Sequence, residues 1–183
     1  PEPHLAASCR EHDLEVVEAR IEDASLTGAV DVVTAFEVIE HLFSPRAFLE
    51  RCAELLSDDG VVVLTCPNAA GFDVQILGAA SATVDAEHLN YFTPDSLAAL
   101  VRRCGFDVVD VSTPGRLDAE LVRKAALAGE VELDADMQRV LIDEWEQQGA
   151  AFQDDLVAEG RSSSLWLVAR RARRPGAAAR PGR

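Results

Sequence analysis

Residues 31–68 read DVVTAFEVIEHLFSPRAFLERCAELLSDDGVVVLTCPN, and this stretch decides the fold. It starts within a β-branched run, 30–36, and ends in the run 61–66, which is apolar on both faces as in a strand covered on both sides. Between the two runs, Ser44-Pro45 is typical of a helix N-cap and first helical position. An apolar stripe at helical spacing follows and predicts a helix ending at Asp58-Asp59-Gly60. The stretch therefore predicts a strand–helix–strand unit.

Further elements are predicted on both sides of this unit. A short helix is expected at 5–12 and a strand at 14–18, before a later helix that opens at Thr93-Pro94 and a strand at 106–112. Residues 71–83 are rich in small side chains and suggest a mobile loop, either a lid or a simple connection. Acidic helices are expected at 118–127 and 134–159, the second interrupted at Gly149, before a closing strand at 164–169. Alternating elements with short connections predict a mostly parallel α/β sheet.

Composition and charge limit the class of protein. The 183 residues carry a net charge of −15, and their only basic cluster lies at 170–183. Because nucleic acids are bound by clustered Lys and Arg, a nucleic-acid partner is disfavoured. No apolar run reaches the roughly 18 residues of a membrane helix, so no membrane partner is expected. The four isolated cysteines suit a cytoplasmic protein. We expect one domain over residues 1–170 and a disordered basic tail over 171–183.

Two stretches carry a family resemblance. Residues 31–68, with EHLNYFTPDSLAALVRRCGFDVVDV at 87–111, resemble the class I S-adenosylmethionine-dependent methyltransferases, above all the ubiquinone-biosynthesis-like O-methyltransferases. The resemblance implies a Rossmann-like sheet that is mostly parallel, with an antiparallel last strand matched by residues 162–170. The helices over 118–159 are then an insertion before that strand. The implied activity is methyl transfer from S-adenosylmethionine to an oxygen, or less readily a nitrogen, of a small molecule.

The sequence departs from the family at its beginning. Family members hold the cofactor with a glycine-rich turn after the first strand and an acidic residue after the second. No G-x-G occurs among the 11 glycines here, and the acidic residue falls before Pro1, with Glu2 as the alternative. The first two strands of the family sheet are thus expected to be missing. We expect residues 1–183 alone to be inactive and not to melt cooperatively, since Val32-Val33 and Val63-Leu64 would lose a neighbouring strand.

Two segments that follow predicted strands are candidates for cofactor binding, because ligands of open α/β sheets bind beyond the carboxyl ends of the strands. The first matches the family loop that surrounds the adenine, and its alternative is a plain acidic turn. The second matches the segment that passes beside the cofactor, although its phenylalanine fits a core position equally well. The six residues are Ile21, Glu22, Asp23, Ala35, Phe36 and Glu37.

Acidic and histidine residues suggest a metal site. Glu37, Glu40 and His41 stand at i, i+3 and i+4, so one helical turn would bring them onto one face. Carboxylates and imidazoles bind divalent ions. The E-x-x-E-H pattern resembles the metal motif of some ubiquinone-pathway and small-RNA methyltransferases, in which a later histidine, here His88, completes the site. The resemblance implies Mg²⁺ or Zn²⁺ on these four residues, and a purely structural role is the alternative.

His88 and His41 are also candidates for the catalytic base. Methyl transfer is an in-line displacement, so a base is needed only to take the proton of the attacking atom. His88 is the first candidate because its predicted loop faces the site, although it could instead be a hydrogen-bond donor beside a helix. Two other functions remain open: a non-catalytic interaction protein that has lost cofactor binding, and another α/β nucleotide enzyme such as a dehydrogenase.

Overall fold

The computed structural model describes residues 2–26 and 29–172, which are organised around a four-stranded mixed sheet. Its strands are β1 (Val30–Phe36), β2 (Leu56–Pro67), β3 (Phe106–Ser112) and β4 (Ser164–Arg171), in the spatial order β1-β2-β4-β3. β1 and β2 pair in parallel, whereas β4 is antiparallel to both β2 and β3. β4 alone therefore opposes the other three strands, which confirms the predicted antiparallel last strand.

Seven α-helices occur in the described part of the chain. They are α1 (Pro3–Glu11), α2 (Pro45–Leu55), α3 (Phe72–Leu77), α4 (Pro94–Arg103), α5 (Asp118–Leu127), α6 (Ala135–Gln138) and α7 (Trp145–Ala158). The predicted caps are confirmed: Ser44 Oγ accepts the N–H of Ala47 at 3.3 Å, and Thr93 and Ser96 form a reciprocal capping box. None of these helices is long and apolar enough to cross a membrane.

The main core lies between the sheet and the helices α2 and α4. Phe48, Leu49 and Cys52 of α2 are buried there, as are Leu97 and Val101 of α4. These side chains recur every three or four residues, which is the period that places them on one helical face. The helical stripe of the sequence is therefore the buried face of α2, although the helix ends at Leu55 rather than at 58–60. Leu56 is fully buried and already belongs to β2, where it pairs with Val30.

Two predictions about strands are wrong. Residues 14–18 form no strand, and Leu14 and Val17 are at least half exposed. No described strand pairs with them, and an isolated strand leaves its backbone groups without partners. Val63 has neighbours on both sides, Thr34 on β1 and Val168 on β4, so β2 does not lose a partner. Within the described residues, the outer edges of β1 and β3 stay unpaired.

The acidic helices form a second layer with a small core of its own, contributed by Phe72, Ala119, Val122, Leu141 and Leu156. The first helix has the predicted bounds, but the second is interrupted at Glu144, after a π-helical turn over Arg139–Asp143, and not at Gly149. Gly149 lies inside α7, where a Cβ atom would come within 2.5–2.7 Å of the Trp145 indole. Packing therefore explains the glycine.

Residues 71–83 are not the expected loop. They contain α3 and a 3-10 turn over Gly78–Ala80. Phe72 is buried and packs edge-on against Phe152 at a centroid distance of 5.2 Å, while Ser81 Oγ donates to Asp73 Oδ2 at 2.8 Å. These contacts hold the segment against the helical layer. Arg171, the first residue of the predicted tail, is the last residue of β4, and residues 173–183 lie outside the described part.

Candidate metal and cofactor site

Glu37 directly follows β1 and is fixed to the end of β2. Its backbone N–H donates to the carbonyl oxygen of Thr65 at 3.0 Å and to Thr65 Oγ1 at 3.2 Å, and Thr65 Oγ1 donates to Glu37 Oε1 at 2.8 Å. Its φ of 52° is left-handed, which costs a non-glycine residue about 1–2 kcal/mol. The hydrogen bonds offset this strain. The expected single helical turn is therefore wrong, because only Ile39–His41 form a turn, of 3-10 type.

Glu40 is a buried carboxylate without a hydrogen-bond partner. It is 1% exposed, and neither carboxylate oxygen receives a hydrogen bond from residues 2–26 or 29–172. Burial raises the pKa of Glu40, and its backbone hydrogen bond and the nearby His41 and His88 oppose that shift. A buried, unpaired polar group is costly, so native proteins seldom retain one without a use for it. His41 Nε2, at 3.7 Å from Glu40 Oε1, is its near neighbour.

The two predicted histidines face each other beside this carboxylate. Their ring centroids are 4.8 Å apart. His41 Nδ1 lies 3.0 Å from the carbonyl oxygen of Glu87, and His88 Nδ1 lies 2.7 Å from that of Thr83. A carbonyl oxygen can only accept, so each Nδ1 carries a hydrogen, and Nε2 is the atom that offers a lone pair when the imidazole is neutral. Metal-binding histidines are held in this way, with the second ring nitrogen donating to a carbonyl or carboxylate.

Glu40, His41 and His88 form the metal-capable group: each offers one ligand atom, and these atoms lie within 4.8 Å of one another. A four-coordinate zinc ion with bonds of about 2.0–2.1 Å holds its ligand atoms roughly 3.4 Å apart. The ligand atoms therefore need to approach one another by up to about 1.4 Å to close on an ion. One carboxylate with two imidazoles suits Zn²⁺ better than Mg²⁺, which prefers oxygen ligands. Glu37 lies outside this group.

The predicted adenine loop is held against α2. Arg51 donates from Nε to the carbonyl oxygen of Ile21 at 3.4 Å and from a terminal nitrogen to that of Ala24 at 3.0 Å. Ile21 packs on the main core, whereas Asp23 is exposed. Glu22 is half-buried and lies 3.5 Å from Arg20. Arg51 therefore fixes the backbone of the loop, and its hydrogen bonds to the loop do not involve the carboxylates of Glu22 and Asp23.

Ala35 and Phe36 end β1 in different surroundings. Ala35 is buried in the main core. Phe36 is 55% exposed, and its ring lies 6.5 Å from that of Trp166, so the alternative of a core position is wrong. Glu37 follows them at the same end of the sheet as the metal-capable group, and its negative charge raises the pKa of Glu40. Ligands of open α/β sheets bind beyond the carboxyl ends of the strands, which is this end of the sheet.

Three residues that support the site were not predicted from the sequence. Thr65 binds Glu37, as described above. Asp85 Oδ1 accepts the N–H groups of Glu87 at 2.7 Å and His88 at 2.9 Å, and these hydrogen bonds lower the pKa of Asp85. The side-chain amide of Asn90 donates to the backbone carbonyl oxygens of Glu40 and Leu42. Only Asp85 had a signal, since an aspartate two residues before an N–H group is typical of an Asx turn.

A groove of about 660 Å³ lies beside the helical layer, away from these residues. Its walls include Arg116, Glu120, Trp145, Gln153 and Asp154. None of the predicted site residues lines it.

Comparison with known proteins identifies the family. The model of a methyltransferase domain family matches residues 2–111. The chain belongs to this methyltransferase family. A probable S-adenosylmethionine-dependent methyltransferase of Mycobacterium tuberculosis is 29% identical, with 85% of this chain and 60% of the relative aligned. The ubiquinone biosynthesis O-methyltransferase of Xanthomonas axonopodis pv. citri is 31% identical over 72% of this chain and 61% of its own.

The methyltransferase fold is also found among solved structures. A S-adenosylmethionine-dependent methyltransferase of Thermotoga maritima aligns with 91% of this chain and 68% of its own, with a TM-score of 0.59 and 16% identity. At this identity the similarity concerns the fold alone. The predicted class I methyltransferase fold and the S-adenosylmethionine cofactor of the family are confirmed, and a dehydrogenase is excluded as the family. The methyltransferase chain spans about 60% of the length of these curated relatives.

Proposed function

We propose that this methyltransferase transfers a methyl group from S-adenosylmethionine to an oxygen atom of a small molecule, at a site where Glu40, His41 and His88 hold a divalent ion. The observation that carries the proposal is the unpartnered carboxylate of Glu40 beside two imidazoles with free Nε2 lone pairs. The O-methyltransferase relative supports oxygen as the acceptor atom. The net charge of −15 supports a small molecule over a nucleic acid. Isolated thiols support a cytoplasmic setting.

The proposed function uses two groups of residues, one that binds S-adenosylmethionine and one that binds the divalent ion. When bound, S-adenosylmethionine supplies an activated methyl group, and a divalent ion supplies a Lewis acid that lowers the pKa of an acceptor hydroxyl. Ile21, Glu22 and Asp23 are proposed to contact the adenine, on a loop fixed by Arg51. The segment from Ala35 to Glu37 is proposed to pass beside the rest of the cofactor. The segment from Ala35 to Glu37 is assigned because it ends β1. The loop from Ile21 to Asp23 is assigned from its resemblance to the adenine loop of the family, since no strand precedes it within the described residues.

His88 and His41 have two proposed roles that exclude each other at any one moment. The Nε2 lone pair of each imidazole can bind an ion or take a proton, but not both. We assign both residues as metal ligands, because the ion also explains the buried Glu40 carboxylate. In the absence of an ion, Nε2 of His88 is the base, held in place by the hydrogen bond of Nδ1 to Thr83. Glu37 is kept as an additional carboxylate near the ion.

Metal binding by the full-length protein tests the ligand assignment. Titration calorimetry with Zn²⁺ and with Mg²⁺ is expected to give heat with Zn²⁺, and Glu40→Gln is expected to remove it. Glu50→Gln is the matched control, because Glu50 is exposed and pairs only with Arg46 on α2. Zn²⁺ binding that survives Glu40→Gln would contradict the ligand assignment.

Transfer of label tests the reaction. The full-length protein is incubated with methyl-labelled S-adenosylmethionine and a panel of catechols, phenols and amines. We expect label on a hydroxyl oxygen, loss of transfer after chelation, and its return with Zn²⁺. Transfer that resists chelation but falls in His88→Ala, most strongly where the imidazole is neutral and the acceptor hydroxyl still carries its proton, would instead assign His88 as the base. No cofactor binding at all would favour the non-catalytic interaction protein.

A further inference from the structure

Asn90 joins the two halves of the metal-capable group. One half is the 3-10 turn with Glu40 and His41, and the other is the segment 83–91 with His88. The backbone N–H of Asn90 donates to the carbonyl oxygen of Glu40 at 2.9 Å. Its side-chain Nδ2 donates to the same oxygen at 3.2 Å and to the carbonyl oxygen of Leu42 at 2.7 Å. The amide thus binds the backbone on both sides of His41.

We propose that Asn90 is a positioning residue, whose side-chain amide sets the distance between His88 and the pair formed by Glu40 and His41. The purpose of this positioning, to hold an ion, rests on the proposed function. The hydrogen bonds of Asn90 are present without an ion. His41 Nδ1 bound to Glu87 is a further hydrogen bond between the halves, at 3.0 Å. Removing the Asn90 amide removes two of these four hydrogen bonds. It also frees the carbonyl group of Leu42, while that of Glu40 keeps only the backbone N–H of Asn90, and the turn is then able to move.

The chemistry of the side chain makes the role specific. Two carbonyl oxygens need a donor with two hydrogens on one atom, which the NH₂ group of asparagine supplies and a carboxylate does not. Asn90→Asp keeps the size and the backbone hydrogen bond but places an acceptor against two acceptors. Asn90→Ser removes the reach to Leu42 and introduces no charge, so it serves if the aspartate variant does not fold.

Asn68 provides a matched control within the same chain. It is fully buried, and its Nδ2 also donates to two carbonyl oxygens, those of Gly160 at 3.3 Å and Ser162 at 2.9 Å. It joins the end of β2 to the start of β4, and its side-chain hydrogen bonds reach Gly160, Ser162 and Ala70 and no member of the metal-capable group. Asn68→Asp therefore imposes the same chemical change and a comparable loss of stability at a different junction.

The test measures Co²⁺ binding to the full-length protein by visible absorption, which reports both affinity and ligand geometry. We expect Asn90→Asp and Asn90→Ser to weaken Co²⁺ binding by about 10–100-fold and to shift the absorption bands, as loss of an outer partner does. Asn68→Asp is expected to keep the wild-type affinity and bands while it lowers the melting temperature. Wild-type affinity and bands in the folded Asn90 variants would overturn the proposal.

A metal-free crystal structure separates this proposal from the proposed function. In Asn90→Ser the centroid distance between His41 and His88, now 4.8 Å, is expected to increase by about 1 Å or more, which adds to the contraction that the ligand atoms already need to close on an ion. An unchanged distance would overturn the positioning role. If the wild-type protein binds no Co²⁺, the ion in the proposed function is refuted, and this crystal structure alone decides the role of Asn90.

Discussion

The imidazole rings of His41 and His88 lie 4.8 Å apart although they come from different segments of the chain. Each ring is fixed by its own hydrogen bond to a backbone carbonyl group, so the pair is organised before any ligand arrives. Such preorganisation reduces the entropy that a ligand must overcome. The site therefore depends as much on the backbone around the histidines as on the histidines themselves.

The first prediction concerns the stability of the metal-free protein. Glu40→Gln removes a buried charge that has no partner, so the variant is expected to melt at the same temperature as the wild type, or above it, in the presence of chelator. With Zn²⁺ the order is expected to reverse, since only the wild type gains stability from the ion. Melting temperatures with and without Zn²⁺ check this. A large loss of stability in chelator would mean that Glu40 has a structural role instead.

The second prediction concerns Asp118, which joins α5 to the start of β4. Its carboxylate accepts hydrogen bonds from Ser162 Oγ at 2.6 Å, Gln153 Nε2 at 2.8 Å and the N–H of Ser163. Burial alone would raise the pKa of Asp118, but these hydrogen bonds outweigh burial and lower it. We expect Asp118→Asn to lower the free energy of unfolding by about 2 kcal/mol at pH 7.

The pH dependence of this effect follows from the direction in which the pKa of Asp118 is shifted. A lowered carboxyl pKa contributes stability above the unfolded value of about 3.9, and that contribution is lost as the pH falls through the folded value. The difference between wild type and Asp118→Asn is therefore expected to shrink below about pH 4. Urea unfolding at pH 7 and pH 3 measures it, with the exposed Asp136→Asn as control. A difference that stays constant with pH would contradict the assignment.

The third prediction concerns Gly149. Replacing glycine by alanine inside a helix usually stabilises it by up to about 1 kcal/mol. Here the new Cβ atom would lie 2.5–2.7 Å from indole carbons of Trp145, so the ring must move. We expect Gly149→Ala to destabilise the helical layer by about 1–3 kcal/mol, and Trp145→Leu in the same chain to recover part of the loss. Thermal melts followed by tryptophan fluorescence test this, and a stabilised Gly149→Ala would disprove it.

The fourth prediction concerns the loop before β1. Arg51→Ala removes the hydrogen bonds to the carbonyl oxygens of Ile21 and Ala24. If this loop contacts the adenine, the variant is expected to bind S-adenosylhomocysteine about 5–10-fold more weakly, the effect of roughly 1 kcal/mol. Co²⁺ binding is expected to stay unchanged. Arg46→Ala, on the same helix and paired only with Glu50, is the control. Equal affinity in both variants would remove the loop from the cofactor site.

Local patterns predicted the parts of the fold that local interactions determine. The cap at Ser44, the buried stripe of α2 and the strands β1, β3 and β4 follow from spacing and from side-chain type. The convergence of Glu40, His41 and His88 was expected from family resemblance, and the structure brings these three together. Neither source suggested the partners of the site, because Thr65 and Asn90 are distant in sequence from the residues that they bind.

Two of the wrong predictions share a physical reason, which is that each feature depends on a distant partner. Residues 14–18 have strand-forming side chains but no neighbour to complete a ladder. The left-handed backbone of Glu37 is held by Thr65 on another strand. Patterns within one segment carry no information about such partners.

The unpaired outer edge of β1 has a consequence for handling the protein. Val30, Val32 and Phe36 are 40–55% exposed along this edge, next to backbone groups without a strand partner. Such an edge is a template on which a strand of another molecule can add. Residues 2–172 prepared alone are therefore expected to self-associate as their concentration rises. Light scattering across a dilution series would reveal it, and a lysine at Val32 should suppress it, because a charge on an edge strand opposes further pairing.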